Sequence, residues 1–306
     1  MSQPVKGDRE QRNRIGEVLN GRYRLEAVIG SGVQGVVYRA VDSKCDEAVA
    51  VKILRDEVAA DPDWRERMFR EAQAMASLLG TAAVRVLDQG WTSDRAHFLV
   101  MELLRGHDLE QALLSIEARG ERTEPKQLLD ILSPLVGTLE RAHAHGIVHR
   151  DIKPANVYLL DDGGVRLMDF GFAKFVRLRG LTLTGYVAGS PSYIAPEMWL
   201  HGSDKVDQRV DVYSLAAVAF RALGGRPPFM GNSMTEVYLA ATTAPRPRLT
   251  ALRSDLPPNV DAWVDQSLAV DPDTRFSTAS AMVNALSSAL GLLQSQRKGP
   301  RAFIRK

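Results

Sequence analysis

At 306 residues, 45% hydrophobic and 25% charged, the chain has the length of one large domain or two lobes and the composition of a soluble globular protein. A net charge of +2 argues against nucleic acid as the main partner. The single cysteine, Cys45, excludes a disulfide within the chain and fits a reducing, cytoplasmic compartment.

Residues 1–22 read as a flexible leader whose polar, mixed-charge start carries no signal-peptide pattern. Strands are expected over residues 23–29, 36–41 and 48–54, separated by turn chemistry. A helix follows, with Asp61 as N-cap and Pro62 in its first turn. Further strands are predicted at 84–87 and 97–101. From Asp108 onward helical patterns dominate, at 109–118, 126–144, 210–223 and 260–268. Pro134 falls inside the second of these and is expected to kink or break it. No apolar run approaches the ~20 residues needed to span a bilayer. Residues 297–306 carry five cations and no anion, which reads as a solvated tail, with an acidic-lipid contact or a juxtamembrane remnant as alternatives. A strand-rich first part and a helical second part imply an α+β, bilobal fold with a ligand cleft between the lobes.

In Gly30-Ser31-Gly32-Val33-Gln34-Gly35 the glycines permit a tight turn and close approach of N–H groups to phosphate. A dinucleotide fold needs a helix straight after such a loop, whereas Val36-Val37-Tyr38 continues as a strand. In the strand 48–54, Ala50 and Lys52 point to the same face, so one can lie against a flat base while the other reaches phosphate. In the helix after Pro62, Trp64, Met68, Ala72, Met75 and Leu79 form one apolar stripe, and Glu71 falls inside it. A buried carboxylate needs a cation, and Lys52 is the expected partner. His149-Arg150-Asp151, Lys153, Asn156 and Asp169 gather the carboxylate, cation and oxygen-ligand chemistry that phosphoryl transfer needs. His143 and His145 sit on different helix faces with no companion ligands, which predicts a solvated or C-capping role.

With GSGVQGVV, VAVK, HRDIKPAN, DFG and APE in order, residues 23–290 resemble a Hanks-type serine/threonine protein kinase of the bacterial branch. The resemblance implies an N-lobe over 23–101, a hinge over 102–105, a C-lobe over 106–290 and a basic tail over 291–306. It implies ATP and Mg²⁺ as cofactors and proteins as substrates. Ile29, Val37 and Ala50 would pack the adenine, above a floor at Tyr158. Met101 would be the gatekeeper, Glu102 to Leu104 the hinge, and Asp108 a ribose contact. Gly30, Gly32, Gly35 and Lys52 would meet the phosphates, with Lys52 held by Glu71. Asn156 and Asp169 would bind metal; Asp151 and Lys153 would serve the transfer. Asp211 would support the catalytic loop, and Arg275 would pair with Glu197 in a structural role. Arg150 would meet a phosphorylated activation-loop residue, with Thr182 and Thr184 as candidates beside Lys174, Arg177 and Arg179.

The chain departs from the pattern at Gln34 in the glycine loop, at Ser190 where threonine is usual, and at Ala216 where glycine is frequent. Tyr158 replaces an aliphatic floor residue and is expected to narrow or tilt the base site. Every catalytic residue is present, so an active kinase is favoured over a pseudokinase scaffold. The APE segment and the lysine of HRDIK favour protein over small-molecule acceptors. The physiological substrate and the oligomeric state are open.

Overall fold

The computed structural model describes residues 14–32, 35–54, 77–170, 191–201 and 206–292. Six antiparallel strands, in the order β1-β2-β3-β4-β6-β5, form the first lobe: β1 (Val18–Leu19), β2 (Tyr23–Gly32), β3 (Gly35–Asp42), β4 (Glu47–Leu54), β5 (Val86–Trp91) and β6 (His97–Glu102). Alternation along these strands divides the side chains between two faces. Val36, Tyr38, Ala40, Val49, Val51, Ile53, Phe98 and Val100 point to one face and pack with Leu19, Tyr23 and Leu25 as the small-lobe core. Complete burial of one such ring, Phe98, is worth roughly 2–3 kcal/mol. The register pairs Val37 with Lys52 and Ala50 with Met101, so these four residues share the other face.

Residues 14–22, assigned to the leader on sequence, are part of this lobe. β1 pairs with β2, Gly16 N–H donates to Leu25 O, and Arg14 pairs with Asp94. β5 starts two residues later than expected, because Ala83 and Val84 are engaged elsewhere. Val84 N–H donates to Leu167 O at 3.0 Å, and Ala83 makes a parallel bridge to Leu167.

The second lobe holds a three-stranded antiparallel sheet of β7 (Gly106–Asp108), β8 (Val157–Leu160) and β9 (Val165–Leu167). Its described helices are α1 (Leu109–Ala118), α2 (Pro125–Ala144), α3 (Pro196–His201), α4 (Arg209–Gly224), α5 (Met234–Thr243), α6 (Leu249–Leu252), α7 (Asn259–Ser267) and α8 (Ala279–Ala289). Asp108 caps α1 by accepting from Gln111 N–H at 2.8 Å. α4 is the centre of the lobe: every residue from Val210 to Gly224 is buried, including the polar Asp211, Ser214 and Arg221, so protein surrounds the helix on all sides. It ends at Gly225, whose φ of 76° suits glycine and whose N–H donates to Arg221 O.

The expected break at Pro134 does not occur, and α2 runs unbroken for 20 residues. Proline removes only the donor to the carbonyl of Asp130, an exposed residue where water can replace it. Thr138 Oγ1 then donates to Pro134 O at 2.8 Å and accepts from Ala82 N–H at 2.9 Å, tying the helix to the other lobe's connection. The helix expected after Pro62 lies outside the described residues.

Candidate active site

Gly35 opens β3 against β4, and a Cβ there would run into the backbone carbonyl of Ile53. Only glycine allows that approach, which seats Lys52 two residues from the strand's end. Lys52 is 5% exposed, and its Nζ lies 2.6 Å from Asp169 Oδ1. Asp169 has a φ of 59°, a left-handed conformation that a non-glycine residue holds only when its neighbours fix it. Two contacts do so. Phe170 is buried against the His149 ring, centroids 4.5 Å apart, and Met168 O accepts from His149 Nε2 at 2.8 Å.

The loop carrying Asp151 is built on one buried carboxylate. Asp211, fully buried in the first turn of α4, accepts from His149 N–H at 2.8 Å and from Arg150 N–H at 2.7 Å. A third bond, at 2.7 Å, comes from His143 Nε2. Arg150 has a φ of 65°, so the loop is bent at this residue. Asp151 N–H points back to His149 Nδ1 at 3.2 Å, which leaves the proton of that neutral ring on Nε2, facing Met168 O. His149 therefore joins the Asp151 loop to the Asp169 segment. Lys153 Nζ lies 2.7 Å from Asp151 Oδ2. Asn156 Nδ2 donates to Asp151 O at 2.7 Å and to Asp151 Oδ2 at 3.1 Å. With both amide hydrogens used, Asn156 Oδ1 is the atom left to bind a cation.

At the junction of the lobes, Arg166 Nε donates to Glu102 Oε1 at 3.2 Å, and Arg85 N–H donates to the same oxygen at 2.9 Å. Asp108, Tyr158 and Arg166 stand in register across β7, β8 and β9 and so share a face. Tyr158 Oη donates to Gly106 O at 2.9 Å. Burial first, then the carboxylates of Asp108 and Asp161, push its phenol above the usual range.

Residues 23–286 match the family model described as protein kinase domain. The chain belongs to the protein kinase family, in its bacterial serine/threonine branch. The kinase is 36% identical over 287 residues to the serine/threonine-protein kinase PknL of Mycobacterium tuberculosis, covering 93% of this chain and 70% of that protein. It is 37% identical over 292 residues to the serine/threonine-protein kinase PknA of the same organism, covering 94% of this chain and 65% of the relative. Its fold is similar to the crystal structure of the M. tuberculosis PknI kinase domain, with a TM-score of 0.71 at 28% identity over 90% of this chain and 98% of that one. The scaffold alternative without turnover is not favoured.

The kinase brings Lys52 to Asp169, and Asp151 to Lys153 and Asn156. It sets Ala50, Val37 and Met101 on the same sheet face as Lys52. Ile29 is half-exposed on β2 and Gly30 pairs with Val37 in the β2–β3 hairpin, while Gly32 ends β2 opposite Gly35. Glu197 and Arg275 form the expected buried pair, with Nη1–Oε1 and Nη2–Oε2 both at 2.7 Å. Glu71, Gln34, Gly171, Ser190, Thr182 and Thr184 lie outside the described residues, as do Lys174, Arg177 and Arg179. His145 caps α2 as expected, its Nδ1 at 2.8 Å from Arg141 O. His143 corrects the sequence reading: its side chain is only 5% exposed and serves Asp211. The helical spacing put it on a different face from His145, and that was the available signal. Arg85 and Arg166, which hold the hinge carboxylate, had no motif to reveal them.

Among the described residues no helix is long and apolar enough to cross a membrane.

Proposed function

We propose that this kinase transfers the γ-phosphate of ATP to serine and threonine hydroxyls of proteins, with Mg²⁺ as cofactor. The observation that carries the reading is Lys52 on the sheet lobe meeting Asp169 of the helical lobe at 2.6 Å, with Asp169 tied through His149 to the loop of Asp151, Lys153 and Asn156. Phosphoryl transfer needs a nucleotide clamp and an acceptor group held in one frame, because positioning and charge neutralisation supply most of the rate.

In this reading the adenine lies between Ile29, Val37 and Ala50 on one side and Tyr158 on the other. Met101 flanks it, and the backbone at Glu102 to Leu104 supplies its hydrogen bonds. Asp108 takes the ribose; Gly30, Gly32, Gly35 and Lys52 take the phosphates, with Glu71 as the partner of Lys52. Asp151 orients the acceptor hydroxyl and receives its proton as the oxygen attacks phosphorus. Lys153 stabilises the charge on the moving phosphoryl group. Asn156 Oδ1 and the partly exposed carboxylate of Asp169 would hold Mg²⁺. Two protein oxygens fit an ion that keeps several waters and phosphate oxygens as ligands. When bound, the ion supplies positive charge to the phosphate oxygens. Thr182 and Thr184 are the proposed autophosphorylation sites, with Arg150 as receiver of the phosphate. Exposed Cys45 suits a reducing compartment, and we place the kinase domain in the cytoplasm.

The test is incubation with ATP and Mg²⁺ followed by phosphosite mapping by mass spectrometry, with Asp151→Asn as control. Phosphate on Thr182 or Thr184 of the wild type and absent from the variant is the expected result. ATP binding without phosphate on the chain or on an added protein acceptor would move the reading to a scaffold. Full activity with both threonines as alanine would remove the regulatory part alone.

A further inference from the structure

An arginine buried in the last turn of a buried helix needs a reason. Arg221 lies on α4 with 7% of its side chain exposed, where methionine or leucine would fill the same space without a charge to desolvate. Its Nη1 donates to both carboxylate oxygens of Glu110 at 2.7 Å and to the Tyr193 phenol oxygen at 3.0 Å. Its Nε donates to Glu117 Oε1 at 3.1 Å. Burial alone would lower the pKa of the guanidinium, but bonds to Glu117, Tyr193 and Glu110 outweigh that and raise it. The cation is therefore permanent, and it joins three elements: α4, α1 through Glu110 and Glu117, and the 3-10 turn Pro191–Tyr193.

Tyr193 is gripped at its other end too, its carbonyl accepting from Ser214 Oγ at 2.7 Å. Asp211, Ser214 and Arg221 are spaced three and ten residues along α4 and so fall on one stripe of the helix. Ser214 is ~4.5 Å further along the axis than Asp211, which carries the Asp151 loop. The Tyr193 backbone is thus anchored within about 5 Å, along α4, of the anchor of that loop. An extended polypeptide advances ~3.3 Å per residue. A protein acceptor with its hydroxyl at Asp151 therefore has the turn that Arg221 and Ser214 hold within a few residues' reach.

Resting on the kinase reading above, we infer that Arg221 is a positioning residue for the protein substrate. By tying the Tyr193 turn to α1 and α4, it fixes the surface that receives the acceptor chain beside Asp151. Its partners, Glu110, Glu117 and Tyr193, are not among the residues proposed to hold ATP, so ATP binding does not depend on it.

The test compares steady-state kinetics of the wild type with Tyr193→Phe, which removes only the oxygen that Arg221 reaches, and with Arg221→Met. Myelin basic protein serves as acceptor, with ATP and Mg²⁺. The expected result is a KM for the acceptor raised roughly fivefold or more in each variant, with the double variant no worse than Arg221→Met. KM for ATP stays within about twofold. Amide hydrogen exchange at residues 191–197 speeds up while β3 and β4 are unchanged. A lowered Tm with an unmoved acceptor KM would assign Arg221 to stability alone and overturn the inference. So would acceptor and ATP constants that rise together. If Arg221→Met does not fold, Tyr193→Phe and Glu110→Gln carry the test. A wild type that transfers phosphate to neither the acceptor nor itself would defeat the kinase reading and this inference together. Transfer with unmoved constants defeats this inference only.

Discussion

Asp211→Asn is the sharpest test of how the catalytic loop is held. The wild-type carboxylate is fully buried and accepts three hydrogen bonds of 2.7–2.8 Å, from His149 N–H, Arg150 N–H and His143 Nε2. Asparagine keeps the shape but has one acceptor oxygen. If that oxygen takes the Oδ2 place, it serves His149 and His143, and the new NH₂ is pressed against Arg150 N–H. Turned over, the NH₂ meets His149 N–H instead, even where His143 moves its proton to accept from it. Either way one backbone N–H of the loop loses its acceptor and faces a donor. A lost charge-assisted bond costs roughly 1.5–3 kcal/mol and the stranded donor a further ~1–3 kcal/mol. The expected destabilisation is about 3–5 kcal/mol, a large share of the stability of an ordinary domain. Arg150 adds a local consequence. Its left-handed backbone is disfavoured by ~1–2 kcal/mol, so with its N–H released the loop relaxes and takes Asp151 with it. Urea unfolding should report the loss of stability, and kcat measured well below the unfolding transition should fall at least about tenfold. ATP affinity should change little, because Lys52 lies on the other lobe. A variant within ~1 kcal/mol of wild type that retains full kcat would refute the reasoning.

Three other changes probe separate parts of the fold. Gly35→Ala forces a methyl group into the Ile53 carbonyl, so it should cost about 1–3 kcal/mol and weaken ATP binding measured by calorimetry; unchanged binding would separate the β3–β4 approach from the nucleotide site. Arg275→Met leaves the buried carboxylate of Glu197 without its bidentate partner and should lower stability by about 3–5 kcal/mol in denaturant melts. The third concerns pH: burial holds the His97 imidazole down at about 4, with Nε2 3.2 Å from Gln89 Oε1. The unfolded chain protonates this group near 6.5 while the native state resists until about 4. Stability should therefore be complete above pH 6.5 and fall by up to ~3 kcal/mol as the pH drops through that window. His97→Phe should flatten that part of the Tm–pH curve, and an unchanged slope would assign the acid sensitivity to other groups.

The sequence by itself determined the family chemistry of this protein, the five longer strands of its first lobe and the helices over 109–118, 126–144, 210–223 and 260–268. Local rules suffice for this: alternation placed Ala50 and Lys52 on one face, and the 3.6-residue period marked the helix 109–118 to the residue. The polar groups of the catalytic loop were legible because their types and spacing are what phosphoryl transfer demands. Only the tertiary structure decided which groups hold that chemistry in place. His143 looked like a helix-end histidine until α4 brought Asp211 to it, and Arg221, which no motif marked, acquires its partners only where α1 and Tyr193 close around it. The short strands β7, β8 and β9 are too brief to show a period, and form because each supplies the other's hydrogen bonds. Pro134 shows the same limit from the other side. Its local rule predicts a break, but one missing donor at an exposed carbonyl costs less than the packing of the long helix recovers. A buried charge is read from sequence as an oddity; its partner is a fact of three dimensions, since residues 68 or 111 positions apart meet only after the chain has folded.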